Sequence, residues 1–146
     1  MADFNRVVFE SKKMDYATPV ELFDQLDREF CFTLDPASSE DNHKCDKFFT
    51  EKENGLEQSW GGERVFCNPP YGKTLGKWVR KAFEECYRGS CPLVVMLIPA
   101  RTDTLWFHNY IYHKAEVRFI KGRLRFNGCT INAPFPSMIV IYRNEV

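Results

Sequence analysis

The first regular pattern of hydrophobic positions along the chain is that of an amphipathic helix. Apolar side chains recur at helical spacing, at Leu22, Phe23, Leu26 and Phe30. The segment before them, Thr18-Pro19-Val20-Glu21, has the composition of a capping box with proline at the first helical position. We therefore predict a helix over residues 19–29.

Short apolar runs predict the strands of the fold. They occupy residues 31–34, 47–50, 64–67, 93–98, 116–120, 123–126 and 137–142. The first run stops at Asp35-Pro36, where proline prevents simple continuation of a strand. The run at 93–98 is apolar at every position, which is typical of a strand that is buried on both faces of a parallel sheet.

Helical spacing returns between the strands, and this alternation predicts the fold class. One apolar helix face follows the third strand and consists of Leu75, Trp78, Val79, Ala82, Phe83 and Cys86. A further helix is predicted over residues 103–113. Strands that alternate with helices indicate an α/β fold with a mostly parallel central sheet and helices on both faces. Ligands of such sheets bind beyond the carboxyl ends of the strands, where Asp35 and Asn68 are placed.

The length and composition fit one globular domain. The chain has 146 residues, of which 44% are hydrophobic and 15% aromatic, and this is enough for a single core. We therefore expect one domain over residues 1–146, with no separate target-recognition domain. No stretch reaches the roughly 20 apolar residues that span a bilayer, and the polar start of the chain lacks the apolar core of a signal peptide. A cytoplasmic protein with no membrane partner is expected.

Charge and cysteine content restrict the function less. Lys plus Arg and Asp plus Glu number 20 each, so the net charge neither supports nor excludes a nucleic-acid partner. The six cysteines are predicted to be free thiols, because most lie in apolar stretches. His43 and Cys45 alone offer too few ligands for a structural zinc ion, so no metal site is predicted.

The segment Asn68-Pro69-Pro70-Tyr71 is the most informative motif, because it separates a buried strand from an amphipathic helix. Asn-Pro also starts ordinary turns, and Asn-Pro-x-Tyr occurs in peptides that phosphotyrosine-binding domains bind, but such a peptide belongs in a flexible segment. The motif resembles the (Asp/Asn/Ser)-Pro-Pro-(Tyr/Phe/Trp) signature of the amino-methyltransferases.

This resemblance implies a use for each residue of the motif. An adenine amino nitrogen is a poor nucleophile because its lone pair is delocalised into the ring. The Asn68 side-chain oxygen and the Pro69 carbonyl would each accept one amino hydrogen and so direct the lone pair at the methyl group. Pro70 would stiffen the loop, and Tyr71 would stack on a base flipped out of the duplex. Methyl transfer would be direct and in-line, without a covalent enzyme intermediate.

The chain as a whole resembles the short phage-type DNA N6-adenine methyltransferases of the Dam kind. The matching blocks lie in the family's order, at residues 16–19, 30–37, 54–56 with Trp60, 68–71, 99–104 and 106–108. The resemblance implies a minimal Rossmann-like class I methyltransferase that uses S-adenosylmethionine. Its partner would be double-stranded DNA, and it would act as a monomer or a homodimer.

By position, the resemblance assigns cofactor contacts to Tyr16, Thr18, Pro19, Asp35, Ala37, Glu51 and Asn54. Thr18 and Pro19 would border the methionine end of the cofactor, and Asp35 would face its ammonium group. Either Glu51 or Glu53 is placed to hold the ribose, and Asn54 would contact the adenine.

Several of these residues have structural alternatives. Thr18 fits a helix N-cap, Asp35 fits the end of a strand, and Asn54-Gly55 fits an ordinary turn. The chain has no glycine before Gly55, so the Gly-rich loop usual in cofactor-binding methyltransferases is missing. Residues 35–39 stand in its place, and a positive φ in that segment would be strained.

Local basic clusters predict the DNA contacts, at Lys73, Arg101, Lys121, Arg123 and Arg125. Lys73 belongs to a charged helix face that also contains Lys77, Arg80 and Lys81, and plain solvation explains such a face equally well. The cluster around Gly122 is the better candidate because it lies in a turn.

Two further functions remain open from the sequence alone. A glutamine amide of a protein, or an adenine of RNA, has a similarly delocalised amino group and would suit the same motif. The missing glycines also allow a DNA-binding relative that has lost its activity.

Overall fold

A computed structural model of the chain describes residues 16–144. Its helices are α1 (Val20–Phe30), α2 (Leu75–Tyr87) and α3 (Leu105–Tyr110), with a 3₁₀ turn at Gly55–Glu57. Its strands are β1 (Leu34–Asp35), β2 (Lys47–Phe48), β3 (Arg64–Cys67), β4 (Leu93–Pro99), β5 (Glu116–Phe119) and β6 (Ser137–Arg143). The start of the chain, on which the expected absence of a signal peptide rests, lies outside the described residues.

The described strands form one sheet in the order β2-β1-β3-β4-β6-β5. Strands β2, β1, β3 and β4 run parallel to one another, whereas β6 is antiparallel to both of its neighbours. The fold is therefore α/β with a mixed sheet, and the expected mostly parallel arrangement is found only in the half formed by β2, β1, β3 and β4. The chain returns from β5 to β6 through a loop rather than a crossover helix, and this connection permits an antiparallel pair.

Side chains that alternate along the strands build a core on each face of the sheet. On one face, α1 contributes Phe23, Leu26 and Phe30 to a cluster with Phe66 of β3 and Val95 of β4. On the other face, α2 and α3 pack over a second cluster. Its central members are Val65, Cys67, Trp78, Val79, Ala82, Val94, Met96, Phe107 and Val140. The helices thus lie on both faces of the sheet, as predicted.

The start of α1 differs from the predicted capping box. Pro19 rather than Thr18 is the N-cap, and no side chain caps the helix there. The Thr18 hydroxyl is instead 3.0 Å from the side-chain nitrogen of Asn68. The predicted capping box was wrong because the helix begins one residue later, after Pro19, and Thr18 instead faces a residue 50 positions away in sequence.

The end of α1 shifts the first strand along the chain. Cys31 adopts a left-handed conformation with φ of 53° and donates its N–H to the Asp27 carbonyl. The Phe32 N–H donates to the Asp27 carboxylate at 2.9 Å. Cys31 and Phe32 therefore complete the helix end, and β1 begins only at Leu34.

Residues 123–126 do not form the predicted strand. The segment belongs to a loop in which the Ala133 N–H donates to the Leu124 carbonyl at 2.7 Å and the Asn127 N–H donates to the Ala17 carbonyl at 2.8 Å. Phe126 is 1% exposed and packs in the α1-side core. The apolar residues of this run are therefore buried by tertiary packing against the sheet rather than by strand pairing.

Helix α3 is shorter than the predicted range of residues 103–113. It begins after Thr104, whose hydroxyl caps it by accepting the Phe107 N–H, and it ends at Tyr110.

Candidate functional site

The parallel half of the sheet brings the predicted site residues to one edge. Asp35 is the last residue of β1, and Asn68 directly follows β3. These two strands are neighbours in parallel register, with Leu34 opposite Val65. Carboxyl ends of adjacent parallel strands meet at the same edge, so Asp35 and the Asn68 motif share one side of the molecule.

Hydrogen bonds engage every polar atom of the Asn68 side chain. Its nitrogen donates to the Tyr16 carbonyl at 2.7 Å and to the Thr18 hydroxyl at 3.0 Å. Its oxygen lies 2.7 Å from the Tyr71 hydroxyl, which is the donor in that contact. Both N–H donors of the amide are therefore used within the protein, while the carbonyl oxygen, with two lone pairs, retains acceptor capacity.

Tyr71 is more enclosed than the sequence suggested. Its ring is half-buried and stacks on Tyr16, with ring centroids 5.4 Å apart and an interplanar angle of 28°. Its hydroxyl also lies 2.9 Å from the Leu97 carbonyl, so two acceptors share one hydroxyl hydrogen. Burial raises the pKa of Tyr71 well above its usual range, so the hydroxyl stays protonated.

The two prolines have different surroundings. Pro69 is buried, whereas Pro70 is exposed.

Cys67 directly precedes the motif, and its thiol is a candidate nucleophile that the sequence analysis did not consider. It is 0% exposed, and burial raises the pKa of its thiol well above the usual range. The thiol therefore stays protonated and is a poor nucleophile.

A pocket of about 220 Å³ opens beside the motif and is lined by Tyr16, Tyr71, Arg101, Pro134 and Phe135. Phe135 meets Tyr16 and Tyr71 edge-on, at centroid distances of 5.3 and 5.7 Å. Sequence reasoning missed Pro134 and Phe135, because they lie in a loop with no periodic pattern. The signal that the sequence offers for this wall is an aromatic residue, Phe135, two positions before the start of β6.

Ser137 lies next to this wall at the start of β6, opposite Pro99 of β4. Its side chain is 1% exposed, and its hydroxyl oxygen has no hydrogen-bond partner among the described residues. A buried hydroxyl without a partner is costly, and sequence reasoning gave no sign of it.

Asp35 is buried at the carboxyl end of β1, with 4% of its surface exposed. Its carboxylate accepts the Lys44 N–H at 2.9 Å and the Ala37 N–H at 3.3 Å, and so holds the loop that follows β1. Burial outweighs these bonds and raises the pKa of Asp35 to about 6, from an ordinary 3.8. A buried carboxylate of this kind is well suited to a cationic partner.

The loop after β1 does not need the missing glycines. Among the described non-glycine residues, positive φ occurs at Cys31, Asn54 and His113, and therefore not within residues 35–39. The expected strain in that segment is absent. Gly55 instead provides the close approach, because a Cβ at this position would lie 2.1 Å from the Pro36 carbonyl oxygen.

This approach places Asn54 beside the loop that contains Ala37. Asn54 has φ of 59°, and its side-chain oxygen accepts the Leu56 N–H at 3.2 Å. The predicted turn is thus present. Both candidate ribose acids, Glu51 and Glu53, are exposed. Glu53 accepts both the N–H and the hydroxyl of Thr50 at 2.9 Å. These hydrogen bonds lower the pKa of Glu53.

One of the predicted basic residues lies at the pocket. Arg101 is exposed and lines it, whereas Lys73, Lys121, Arg123 and Arg125 are exposed but are not among its lining residues. Gly122, between two of these residues, has φ of 76°, as a tight turn requires.

Residues 16–144 hold neither a metal-binding cluster nor a membrane-spanning helix. No group of three or more His, Cys, Asp and Glu side chains is arranged to hold a metal ion in this range. None of the helices in this range has the length and apolar character needed to cross a membrane.

Comparison with known proteins identifies the family. Residues 7–144 match the family described as DNA N-6-adenine-methyltransferase (Dam). A relative, the DNA N-6-adenine-methyltransferase of Escherichia phage T1, is 33% identical over 111 residues. The matched segment is 75% of this chain and 45% of the relative, so the chain spans less than half of the relative's length. The resemblance inferred from the ordered sequence blocks is confirmed: the chain belongs to the DNA N-6-adenine-methyltransferase (Dam) family.

Proposed function

We propose that this chain transfers a methyl group from S-adenosylmethionine to the N6 amino group of adenine in double-stranded DNA. The observation that carries the proposal is the orientation of the Asn68 amide. Both of its N–H donors are consumed by Tyr16 and Thr18, so the group that it offers to a substrate is an acceptor. An acceptor complements an amino group, which donates, and does not complement a ring carbonyl.

The reaction chemistry follows from this acceptor. Asn68 accepts one amino hydrogen and the carbonyl of Pro69 accepts the other, which directs the nitrogen lone pair toward the methyl donor. Asn68 is neutral and does not act as a general base, so the surplus proton leaves to solvent after transfer. Because the thiol of Cys67 is buried and protonated, the methyl group passes directly to nitrogen without an enzyme-bound intermediate.

The pocket beside the motif suits a base that has left the duplex. A flipped base is held by stacking between aromatic or apolar side chains, and Tyr71, Phe135 and Pro134 provide such walls. Arg101 at the same pocket is placed to meet a phosphate of the flipped nucleotide. Lys73, Lys121, Arg123 and Arg125 are exposed and would serve more distant phosphates.

The residues at the ends of β1 and β2 fit the cofactor. S-adenosylmethionine supplies an electrophilic methyl group when bound. The buried carboxylate of Asp35 would balance its ammonium group, and Ala37 and Asn54 would flank it on the loops that Gly55 brings together. Either Glu51 or Glu53, on the segment that follows β2, would hold the ribose. Tyr16 and Pro19 would complete the methionine end.

This assignment also refines the architecture. We infer that the mixed sheet is a minimal Rossmann-like class I methyltransferase sheet, with cofactor residues on its parallel half. Residues 1–146 would form one methyltransferase domain, acting in the cytoplasm as a monomer or a homodimer.

The test is methyl transfer from radiolabelled cofactor to unmethylated duplex DNA, followed by nucleoside analysis. The wild type should place label in N6-methyladenine, and Asn68→Ala should lower turnover by about 100-fold or more, as expected when a preorganised polar group is lost. Asn109→Ala makes the same change at an exposed position of α3 and should keep wild-type turnover. Full activity of Asn68→Ala would refute the role of the amide. Label in protein or RNA, but not in DNA, would refute the choice of substrate.

A further inference from the structure

We infer that Thr18, together with the Tyr16 carbonyl, positions the Asn68 amide for methyl transfer. The family resemblance implies a cofactor contact for Thr18, whereas the structure places its hydroxyl on the amide. Thr18 would therefore be a positioning residue that acts through Asn68. This inference rests on the proposed function.

The two orientations of the Asn68 amide are not equivalent at this site. In the orientation present, the nitrogen meets the Tyr16 carbonyl at 2.7 Å and the Thr18 hydroxyl at 3.0 Å. A rotation by 180° would set the amide oxygen against the Tyr16 carbonyl, and neither oxygen has a hydrogen to donate. The Tyr71 and Thr18 hydroxyls can each donate or accept, so neither selects between the two orientations. The selection therefore comes from the Tyr16 carbonyl.

Thr18 supports the selected orientation by accepting the second N–H. Without its oxygen, one N–H of this part-buried amide would lose its acceptor, and the amide could rotate away from its plane. Fixing this plane fixes the direction of the acceptor lone pair that faces the substrate amino group.

The segment that carries the two acceptors is anchored on both sides. Ala17 pairs with Asn127 in an antiparallel bridge, and the Asn127 N–H donates to the Ala17 carbonyl at 2.8 Å. On the other side, the Pro19 carbonyl accepts the Phe23 N–H at 3.0 Å in the first turn of α1. A support held in this way can maintain a catalytic group within the narrow tolerance that preorganisation requires.

The structure already assigns a contact to the Thr18 side chain. It is 3% exposed, and its hydroxyl accepts an N–H of Asn68.

The experiment compares Thr18→Val, which removes the hydroxyl at nearly constant shape, with Thr18→Ser, which keeps it. The kcat and the KM for DNA in methyl transfer to duplex DNA, the cofactor Kd and the thermal stability are measured for each. Thr18→Val should lower kcat about tenfold, the effect of about one lost hydrogen bond, with little change in cofactor Kd or in the KM for DNA. Thr18→Ser should recover the rate to within about threefold of wild type. Thr33→Val is the matched control, because its hydroxyl bonds Glu63 and Arg64 at the amino ends of the strands.

A double variant separates positioning from a structural role. In the Asn68→Ala background, Thr18→Val should cause no further loss of rate, since there is no amide left to orient. An unchanged kcat in Thr18→Val, or a loss confined to cofactor Kd, would overturn the inference while wild-type transfer to adenine still supported the proposed function. Absence of transfer by the wild type would overturn both.

Discussion

Asp35 offers a direct physical test of the site, because its burial is costly to the fold. The pKa of Asp35 is raised to about 6 in the folded chain, against an ordinary 3.8, chiefly by burial. A raised pKa means that the folded state binds the proton more tightly than the unfolded state. The folded state is therefore favoured while Asp35 is protonated, and this contribution is lost as pH rises from about 4 through about 6. At about 1.4 kcal/mol per pH unit, the loss amounts to about 3 kcal/mol.

The perturbation is Asp35→Asn, which removes the ionisation and keeps the shape. An amide can accept only one of the two N–H groups that Ala37 and Lys44 donate to the carboxylate. The variant therefore carries a penalty of about 1–3 kcal/mol that does not depend on pH. The stability of the variant relative to wild type should rise by about 2–3 kcal/mol between about pH 4 and pH 7.5.

The assay is urea unfolding followed by tryptophan fluorescence, since Trp60 and Trp78 lie in the core. Each protein is measured at half-unit pH steps, and Asp24→Asn, which removes an exposed carboxylate of α1, supplies the baseline. A stability difference that is constant with pH would refute the reasoning. If the stability of the variant relative to wild type fell as pH rose, the bonds from Ala37 and Lys44 would stabilise the charge more than burial disfavours it.

The same residue links pH to ligand binding. If Asp35 balances the cofactor ammonium group, wild-type affinity should weaken as pH falls below about 6 and the carboxylate is protonated. Asp35→Asn should bind weakly across the whole range. Isothermal titration with S-adenosylmethionine at pH 5, 6, 7 and 8 measures both. Equal cofactor affinity of the two proteins at pH 8 would show that Asp35 does not balance the ammonium group of the cofactor.

Two further predictions concern the neighbouring elements. Tyr71→Phe loses a hydroxyl that lies 2.7 Å from the Asn68 oxygen and should lower kcat about tenfold. Tyr71→Ala should also raise the KM for DNA, because a stacking surface is lost. Equal kinetics for the two variants would exclude stacking. Gly55→Ala places a Cβ 2.1 Å from the Pro36 carbonyl oxygen. The variant should be less stable by about 2 kcal/mol and should bind the cofactor more weakly. Wild-type thermal stability and cofactor affinity would show that the turn can move without consequence.

Strands β3 and β4 were predicted well from the sequence, because buried strands leave a strong local signal. The apolar run in β4 and the motif that follows β3 placed Asn68 at a strand end, and the structure agrees. The antiparallel pairing of β6 was not predictable in this way, since a buried strand reads as an apolar run in either direction.

The contacts of the site were harder to predict than its residues. Thr18 has the composition of an N-cap, yet its hydroxyl bonds Asn68, because a tertiary contact can compete with a local capping bond. Phe135 and the unpartnered hydroxyl of Ser137 lie where a loop folds against the sheet. Such positions have no periodicity, so only the folded chain shows them.

The bridge between Ala17 and Asn127 also has a consequence for dynamics. It is an isolated pair outside the strands of the sheet, whereas β4 and β6 are paired along seven residues each. Weakly paired segments open at a lower free energy than the core of a domain. Opening at this bridge would release the Tyr16 and Thr18 contacts and leave the Asn68 amide free to rotate while the sheet stayed intact. Heating should therefore abolish methyl transfer before the sheet melts, and hydrogen exchange at the Asn127 amide should report how often the site is disassembled.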